Sequence, residues 1–162
     1  MQKNHNLGIA ACAFLIPLLG GAFGGLTTRK TVESNWYKTL RKPKFQPPKW
    51  VFPLAWTTLY ILMGAASYLV YAANDSRSRS IALTFYAIHL LLNFSWTPTF
   101  FGSRDPQTAL IIISLLDVFL VATVLYFWKI SKLAAYLMLP VVAWCGFATL
   151  LNWHIWKSNL KK

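Results

Sequence analysis

Apolar residues run unbroken in five long stretches of this chain: Leu7–Leu26, Trp50–Ala73, Ile81–Ser103, Pro106–Trp128 and Leu133–Trp156. Four of these hold no Asp, Glu, Lys or Arg, and Pro106–Trp128 holds a single acid, Asp117. Each is 20 to 24 residues long, enough to carry a helix across a hydrocarbon core of about 30 Å at about 1.5 Å per residue. Strands of a membrane barrel would be nearer ten residues and would alternate with polar positions, which these do not. The pattern predicts an all-α fold, an integral membrane bundle of five transmembrane helices forming one membrane domain over residues 1–162.

Short connectors separate the runs, with one exception. Residues 27–49, TTRKTVESNWYKTLRKPKFQPPK, are basic, aromatic and proline-bearing. Pro43, Pro47 and Pro48 lack a backbone donor and push their predecessors toward extended geometry, so no continuous helix is expected to cross this stretch. Long loops of this kind are usually functional or disordered. Trp36, Tyr37 and Phe45 argue for a lid packed on the bundle, and a solvated basic linker touching lipid headgroups is the alternative. Pro53, Pro98 and Pro140 fall inside apolar runs and are expected to kink or end their helices, opening space between them. The overlapping pairs Gly20/Gly24 and Gly21/Gly25 predict close helix packing, within the bundle or between two copies. No small-x-small cleavage site ends the first run before Arg29, so a retained helix is expected there.

Charge adds an orientation. The chain is 56% apolar with a mean hydropathy of +0.45, yet sixteen Lys and Arg against four acids give it a net charge of +12. Nucleic-acid domains carry such charge on a polar body; here only 12% of residues are charged, and no nucleic-acid partner is expected. With five spans, Lys3, Arg77, Arg79, Lys129 and Lys132 fall on one side. Arg29, Lys30, Lys38, Arg41, Lys42, Lys44, Lys49, Arg104, Lys157, Lys161 and Lys162 fall on the other. That richer side, with the first loop and the C-terminus, is expected to face the cytoplasm. Cys12 and Cys145 lie within apolar runs and read as small fillers. His5, His89 and His154 are scattered, no HExxH or phosphate-binding loop occurs, and neither a metal nor a cofactor is expected. Asn74-Asp75-Ser76 fits a glycosylation acceptor pattern.

Polar and aromatic groups within the spans are the informative ones, because hydrocarbon offers them no partner. His89, Asn93 and Trp96 follow i, i+4, i+7 spacing on the third span; Trp144, Ala148 and Asn152 share a face of the fifth; Trp56 and Tyr60 lie four apart on the second. Two readings compete. In one, Asn93 and Asn152 hydrogen-bond between helices and the tryptophans form interfacial belts, as Trp50, Trp128, Trp153 and Trp156 at span ends would. In the other, Trp56, Trp96 and Trp144 sit too deep for a belt and wall an apolar pocket with few polar groups, the kind that holds flat hydrophobic ligands. Asp117 has no cation at its depth, so it is expected to be protonated or hydrogen-bonded to a neighbouring helix.

Together these residues resemble one family, the translocator proteins, also called peripheral benzodiazepine receptors or tryptophan-rich sensory proteins. The likeness is carried by Trp36-Tyr37, Lys42-Pro43, Pro47-Pro48-Lys49-Trp50, Trp56, Tyr60 and Met63-Gly64. It continues through Leu92-Asn93, Trp96 and Phe100-Phe101-Gly102 to Ala143-Trp144, Phe147-Ala148-Thr149 and Leu151-Asn152. The resemblance implies a five-helix bundle, often a homodimer, whose cavity beneath the first loop takes porphyrins and other tetrapyrroles, sterols such as cholesterol, and benzodiazepine-type drugs. It further implies a role in their transport or sensing, as a binding protein and not an enzyme.

By position, the ligand would meet Tyr37, Phe52, Trp56, Asn93, Trp144, Ala148 and Leu151. A sterol-contact motif falls on Leu150, Trp153 and Lys157, where Trp153 replaces the family's Tyr and so lacks its hydroxyl. His89 stands where animal relatives carry Gln, which would make the pocket pH-sensitive. Asp117 lies five residues beyond the position of the family's acid, here Ile112. The fragment Met63-Gly64-Ala65-Ala66-Ser67-Tyr68-Leu69-Val70 looks more like animal members, which favours a mitochondrial outer membrane over a bacterial membrane. Two other functions stay open: oxidative or light-driven tetrapyrrole breakdown with the pocket tryptophans as redox partners, and a structural or regulatory membrane subunit without a small ligand.

Overall fold

Helices account for the ordered elements, as the apolar runs require. The computed structural model describes residues 2–73 and 76–160, so Asn74 and Asp75 of the glycosylation pattern and Lys161 and Lys162 of the basic count lie outside the described residues. The elements are α1 (Gln2–Val32), α2 (Asn35–Thr39), α3 (Val51–Ala72), α4 (Ser76–Thr97), α5 (Pro106–Ile130) and α6 (Lys132–Asn159). A π-helical turn, Pro98–Gly102, follows α4 directly. Among the described residues there is no strand, and the chain forms an all-α membrane bundle. Leu7–Val32, α3, α5 and α6 are each long and apolar enough to cross a membrane. α4 matches α3 in length at 22 residues, but it opens on Ser76-Arg77-Ser78-Arg79-Ser80, which shortens its apolar part.

The long helices close into a ring. α1 packs on α3, α3 on α6, α6 on α5, α5 on α4, and α4 returns to α1. Local chemistry sets the turns between them. Asp105 caps α5 by accepting from the backbone N–H of Gln107 and Thr108 at 3.1 and 3.0 Å, and Pro106 follows in the first turn, where its missing donor is not needed. Ser131 both ends α5 and caps α6, its hydroxyl accepting from Ala134 N–H at 3.3 Å. Arg79 donates to the carbonyls of Tyr71 and Ala73 at 3.1 and 3.2 Å, a cation at the negative end of α3.

The structure corrects two expectations. α1 does not stop at Leu26 but continues to Val32, so residues 27–49 are not one loop. No Gly or Pro interrupts Thr27-Thr28-Arg29-Lys30-Thr31-Val32, and the Thr28 hydroxyl bonds back to the Gly24 carbonyl at 3.0 Å. The prolines act only downstream, where residues 40–50 leave helical geometry after the short α2. Pro53 neither kinks nor ends its helix, since it falls in the first turn of α3. Pro98 does end α4 as a regular helix and opens the π-turn, while α6 runs on through Pro140.

The glycine pairs pack inside the bundle. A Cβ placed on Gly20 would lie 2.2 Å from the Phe94 ring, and one on Gly21 would lie 2.0 Å from the Tyr60 ring. On the facing helix, a Cβ on Gly64 would come within 2.9 Å of the Ala13 carbonyl oxygen. Small residues therefore set the approach of α1 to α3 and α4. Toward the end of the bundle bearing Ala72 and Ile130 the interior is solid: Met63, Ala66, Val70, Ala82, Phe127, Ala134, Met138 and Val141 are fully buried. Toward the other end it opens.

Candidate functional site

A cavity of about 620 Å³ occupies that open end, walled by α1, α3, α4, α6 and, through Ile113 and Leu116, α5, and roofed by the segment that follows α1. α3 contributes Phe52, Trp56 and Tyr60 to it; α4 contributes Asn93 and Trp96; α6 contributes Trp144, Ala148, Leu151 and Asn152. Tyr37 enters from α2 and Gln46 from the extended segment. All seven residues singled out for a ligand thus line one space: Tyr37, Phe52, Trp56, Asn93, Trp144, Ala148 and Leu151. Heptad-like spacing explains the convergence, since residues four apart on a helix present one face.

The aromatic side chains brace one another. Trp56 stacks on Tyr60 with ring centroids 5.5 Å apart and planes at 28°. Phe52 meets Trp144 edge-on at 5.9 Å, and Trp144 tilts against Phe147 at 5.7 Å. A short polar chain ties the same helices together beneath them. Tyr60 OH donates to Asn93 Oδ1 at 2.7 Å, joining α3 to α4. Trp96 Nε1 donates to Asn152 Oδ1 at 2.9 Å, and Asn152 Nδ2 donates to the Pro106 carbonyl at 2.7 Å, joining α4, α6 and α5. The two readings of the asparagines are therefore not exclusive: both residues bridge helices and both line the cavity. Tyr60 engages only the oxygen of the Asn93 amide.

The roof is anchored at several points. Tyr37 is buried, packs on Phe101 at 5.8 Å, and its hydroxyl accepts from Gln46 Nε2 at 3.2 Å. Burial pushes the Tyr37 phenol up from its ordinary pKa, with the Gln46 hydrogen bond pulling the other way. Lys42 Nζ donates to the Tyr37 and Leu40 carbonyls and lies 4.3 Å over the Tyr37 ring. Its pKa is pushed down, first by burial and then by the neighbouring Lys49 cation. Phe45 meets His154 edge-on at 5.2 Å, and Arg41 exchanges two 3.1 Å backbone hydrogen bonds with the Asn159 side chain at the end of α6. Trp36, Tyr37 and Phe45 thus each meet rings of the bundle, with Phe45 still 48% exposed.

Other candidates fall elsewhere. Leu150, Trp153 and Lys157 lie on the outer face of α6, with Leu150 57% and Trp153 38% exposed and Lys157 Nζ 4.7 Å over the Trp153 ring. His89 is fully buried one turn below Asn93, against Tyr86 at 5.3 Å, and does not line the cavity. Asp117 accepts from Thr149 Oγ1 at 2.7 Å, the neighbouring-helix partner expected of it, and lies between α5 and α6 away from the cavity. Among the described residues no group of His, Cys, Asp and Glu is placed to hold a metal.

One wall was not read from the sequence. Leu18, Gly21, Ala22, Gly25, Thr28 and Arg29 of α1 and Glu33 just beyond it line the cavity, and so do Phe100 and Phe101 of the π-turn. α1 has no mid-span amide or Trp to announce a ligand face. Gly25 lines the cavity with open space where a Cβ would stand, since nothing lies within 4 Å of that position.

Comparison with known proteins adds a lineage to this geometry. The family model described as "TspO/MBR family" matches residues 13–157. The chain is similar to the tryptophan-rich protein TspO of Chlorobaculum tepidum, 38% identical over 154 residues covering 94% of this chain and 96% of that protein. It is similar to the translocator protein of Bos taurus, 37% identical over 147 residues, 90% of this chain and 86% of that one. The tryptophan-rich sensory protein of Cereibacter sphaeroides is 41% identical over 148 residues, 91% and 92% of the two chains.

Proposed function

Since the chain belongs to the TspO/MBR family, we propose that it is a membrane receptor or translocator holding flat hydrophobic ligands in the cavity beneath its lid. The ligand class is a porphyrin or other tetrapyrrole, a sterol, or a drug of the benzodiazepine type. Two relatives bear the names translocator protein and tryptophan-rich sensory protein, which supports a role in transport or sensing. In this reading all five long helices cross the membrane as one domain, and the lid end, with the C-terminus, faces the cytoplasm.

The observation that carries the proposal is the wall: aromatic rings at Phe52, Trp56 and Trp144 around about 620 Å³ of space, with few polar groups aimed into it. Volumes of about 300–1,000 Å³ with this lining are typical of small-molecule sites. Trp56 and Trp144 offer their faces to a planar ligand, Asn93 donates one orienting hydrogen bond, and Tyr37 with the extended segment covers the mouth. Leu150, Trp153 and Lys157 are proposed as a separate sterol contact reached from the bilayer, because they face outward.

The test is a titration of the purified protein with protoporphyrin IX, read as quenching of tryptophan fluorescence. Saturable quenching is expected, with affinity falling about tenfold in Trp144→Ala, roughly the 1.4 kcal/mol of one lost aromatic contact. Circular dichroism confirms that the variant folds. An affinity unchanged in a folded Trp144→Ala variant contradicts the assignment.

A further inference from the structure

Charges stand at the mouth of the cavity that the bundle does not use. Arg29 in the last turn of α1, Glu33 in the turn just after it, and Lys49 at the end of the lid all line it and all are exposed. Among the described residues none of these three side chains makes a hydrogen bond or ion pair, and Arg29 and Glu33 do not pair with each other. Other lid residues contrast with them: Lys42 is spent on the Tyr37 and Leu40 carbonyls and the Tyr37 ring, and Arg41 is held through its backbone by Asn159. Beneath the mouth the wall turns to Phe52, Trp56 and Trp144, rings without formal charge, among which the Trp144 indole N–H is a buried donor with no partner. The space is therefore polarised along its length, cationic at the rim and apolar below.

We propose that Arg29 and Lys49 form an anion-selecting rim, so that the preferred ligand is a rigid apolar body carrying a carboxylate or similar anionic group at the end left at the mouth. This rests on the pocket reading above and narrows its ligand class. Arg29 offers a planar fork suited to a carboxylate and Lys49 a compact point charge, and both are poised without a competing partner. An uncharged ligand gains nothing from them. Lys49 also lies close enough to Lys42 to lower the pKa of that residue, so the positive potential extends over the lid. Glu33 is the one acid of the lining and works against the anion, which fixes the sign of a further test: removing it strengthens binding of an anionic ligand. Because the rim is open to solvent, each cation contributes on the scale of an exposed ion pair, and salt screens it.

The experiment compares protoporphyrin IX, a dicarboxylic acid, with its uncharged dimethyl ester, titrated into the full chain in nanodiscs of zwitterionic lipid. The wild-type protein is expected to bind the acid more tightly at low salt, with the acid-to-ester ratio of affinities shrinking as salt rises. Arg29→Gln and Lys49→Gln should each lower that ratio about threefold and the double variant about tenfold, whereas Glu33→Gln should raise it. Lys44→Gln, on an exposed lid residue outside the lining, should leave the ratio in place. A ratio indifferent to Arg29 and Lys49, or one that falls equally in Lys44→Gln, overturns the rim. If Trp144→Ala weakens both probes while the rim variants change nothing, only the rim fails; if Trp144→Ala weakens neither, the pocket reading fails with it.

Discussion

The two ends of this bundle are made by the same helices and do opposite things with their interior. At the end bearing Ala72 and Ile130, small and flexible residues (Ala66, Ala82, Ala134, Ala135, Met63, Met138) form one buried cluster with Phe127, and exposure falls to 1% or less. At the lid end the facing positions are Trp56, Tyr60, Asn93, Trp96, Trp144 and Asn152, and the helices stand around about 620 Å³ of space. Large rings braced edge-to-face and amides bonded across helices act as struts: Tyr60 to Asn93, Trp96 to Asn152, Asn152 to Pro106. Small apolar residues let helices collapse together. Rigid aromatic and hydrogen-bonded ones hold them apart, and that difference turns a packed core into a site.

The comparison breaks most visibly at Phe127. Fully buried in the closed end, it should cost about 3–5 kcal/mol of stability on truncation to Ala while leaving porphyrin affinity within about twofold, since it does not line the cavity. Unfolding midpoints and the quenching titration on the same preparation check both halves of that statement. A next smaller effect, of the opposite character, is expected at Gly21. Its Cβ would fall 2.0 Å from the Tyr60 ring, so Gly21→Ala must displace Tyr60 and break its 2.7 Å bond to Asn93. The expected result is a stability loss of about 1–3 kcal/mol for the stranded buried amide, together with a loss of ligand affinity of about tenfold or more. Affinity preserved in Gly21→Ala would show that the Tyr60–Asn93 strut does not shape the site.

Asp105 should give the smallest effect. Asp105→Ala removes the cap of α5 and is expected to cost about 1 kcal/mol, with affinity little changed. The Thr108 side chain, with the backbone amides of Thr108 and Gln107, holds the Asp105 carboxyl below the usual carboxylate range. A folded-state pKa below the unfolded one means that the cap's contribution is present above the unfolded value, about 3.9, and is lost as pH falls through the lower folded value. The stability difference between wild type and Asp105→Asn should therefore narrow in acid, as pH-dependent unfolding would record.

Much of the site was legible because helical spacing and chemistry coincide. Trp144, Ala148 and Asn152 on one helix and Trp56 and Tyr60 on another announce their shared faces, and the resemblance to the translocator family supplied Tyr37, Phe52 and Leu151. Periodicity gives a face but not a depth. His89 shares the face of Asn93 and Trp96, yet lies one turn further toward the closed end, where packing has already removed the space. The α1 wall was illegible for a different reason: glycine marks close packing and open space alike. Gly20 and Gly21 are pressed against Phe94 and Tyr60, while Gly25 in the same motif meets nothing. The continuation of α1 to Val32 escaped for want of a signal, because polar residues ending an apolar run read as a loop even when nothing stops the helix.

The central claim, that a flat ligand occupies the space between Trp56, Asn93 and Trp144, is tested most directly by chemical protection. In a Cys12→Ser background, with Cys145 fully buried, Ala148→Cys places a thiol on the cavity wall and Leu150→Cys places one on the outward face of the same helix. Protoporphyrin IX should slow maleimide labelling of Ala148→Cys at least tenfold and leave Leu150→Cys unaffected. Equal labelling of Ala148→Cys with and without saturating porphyrin would contradict the account.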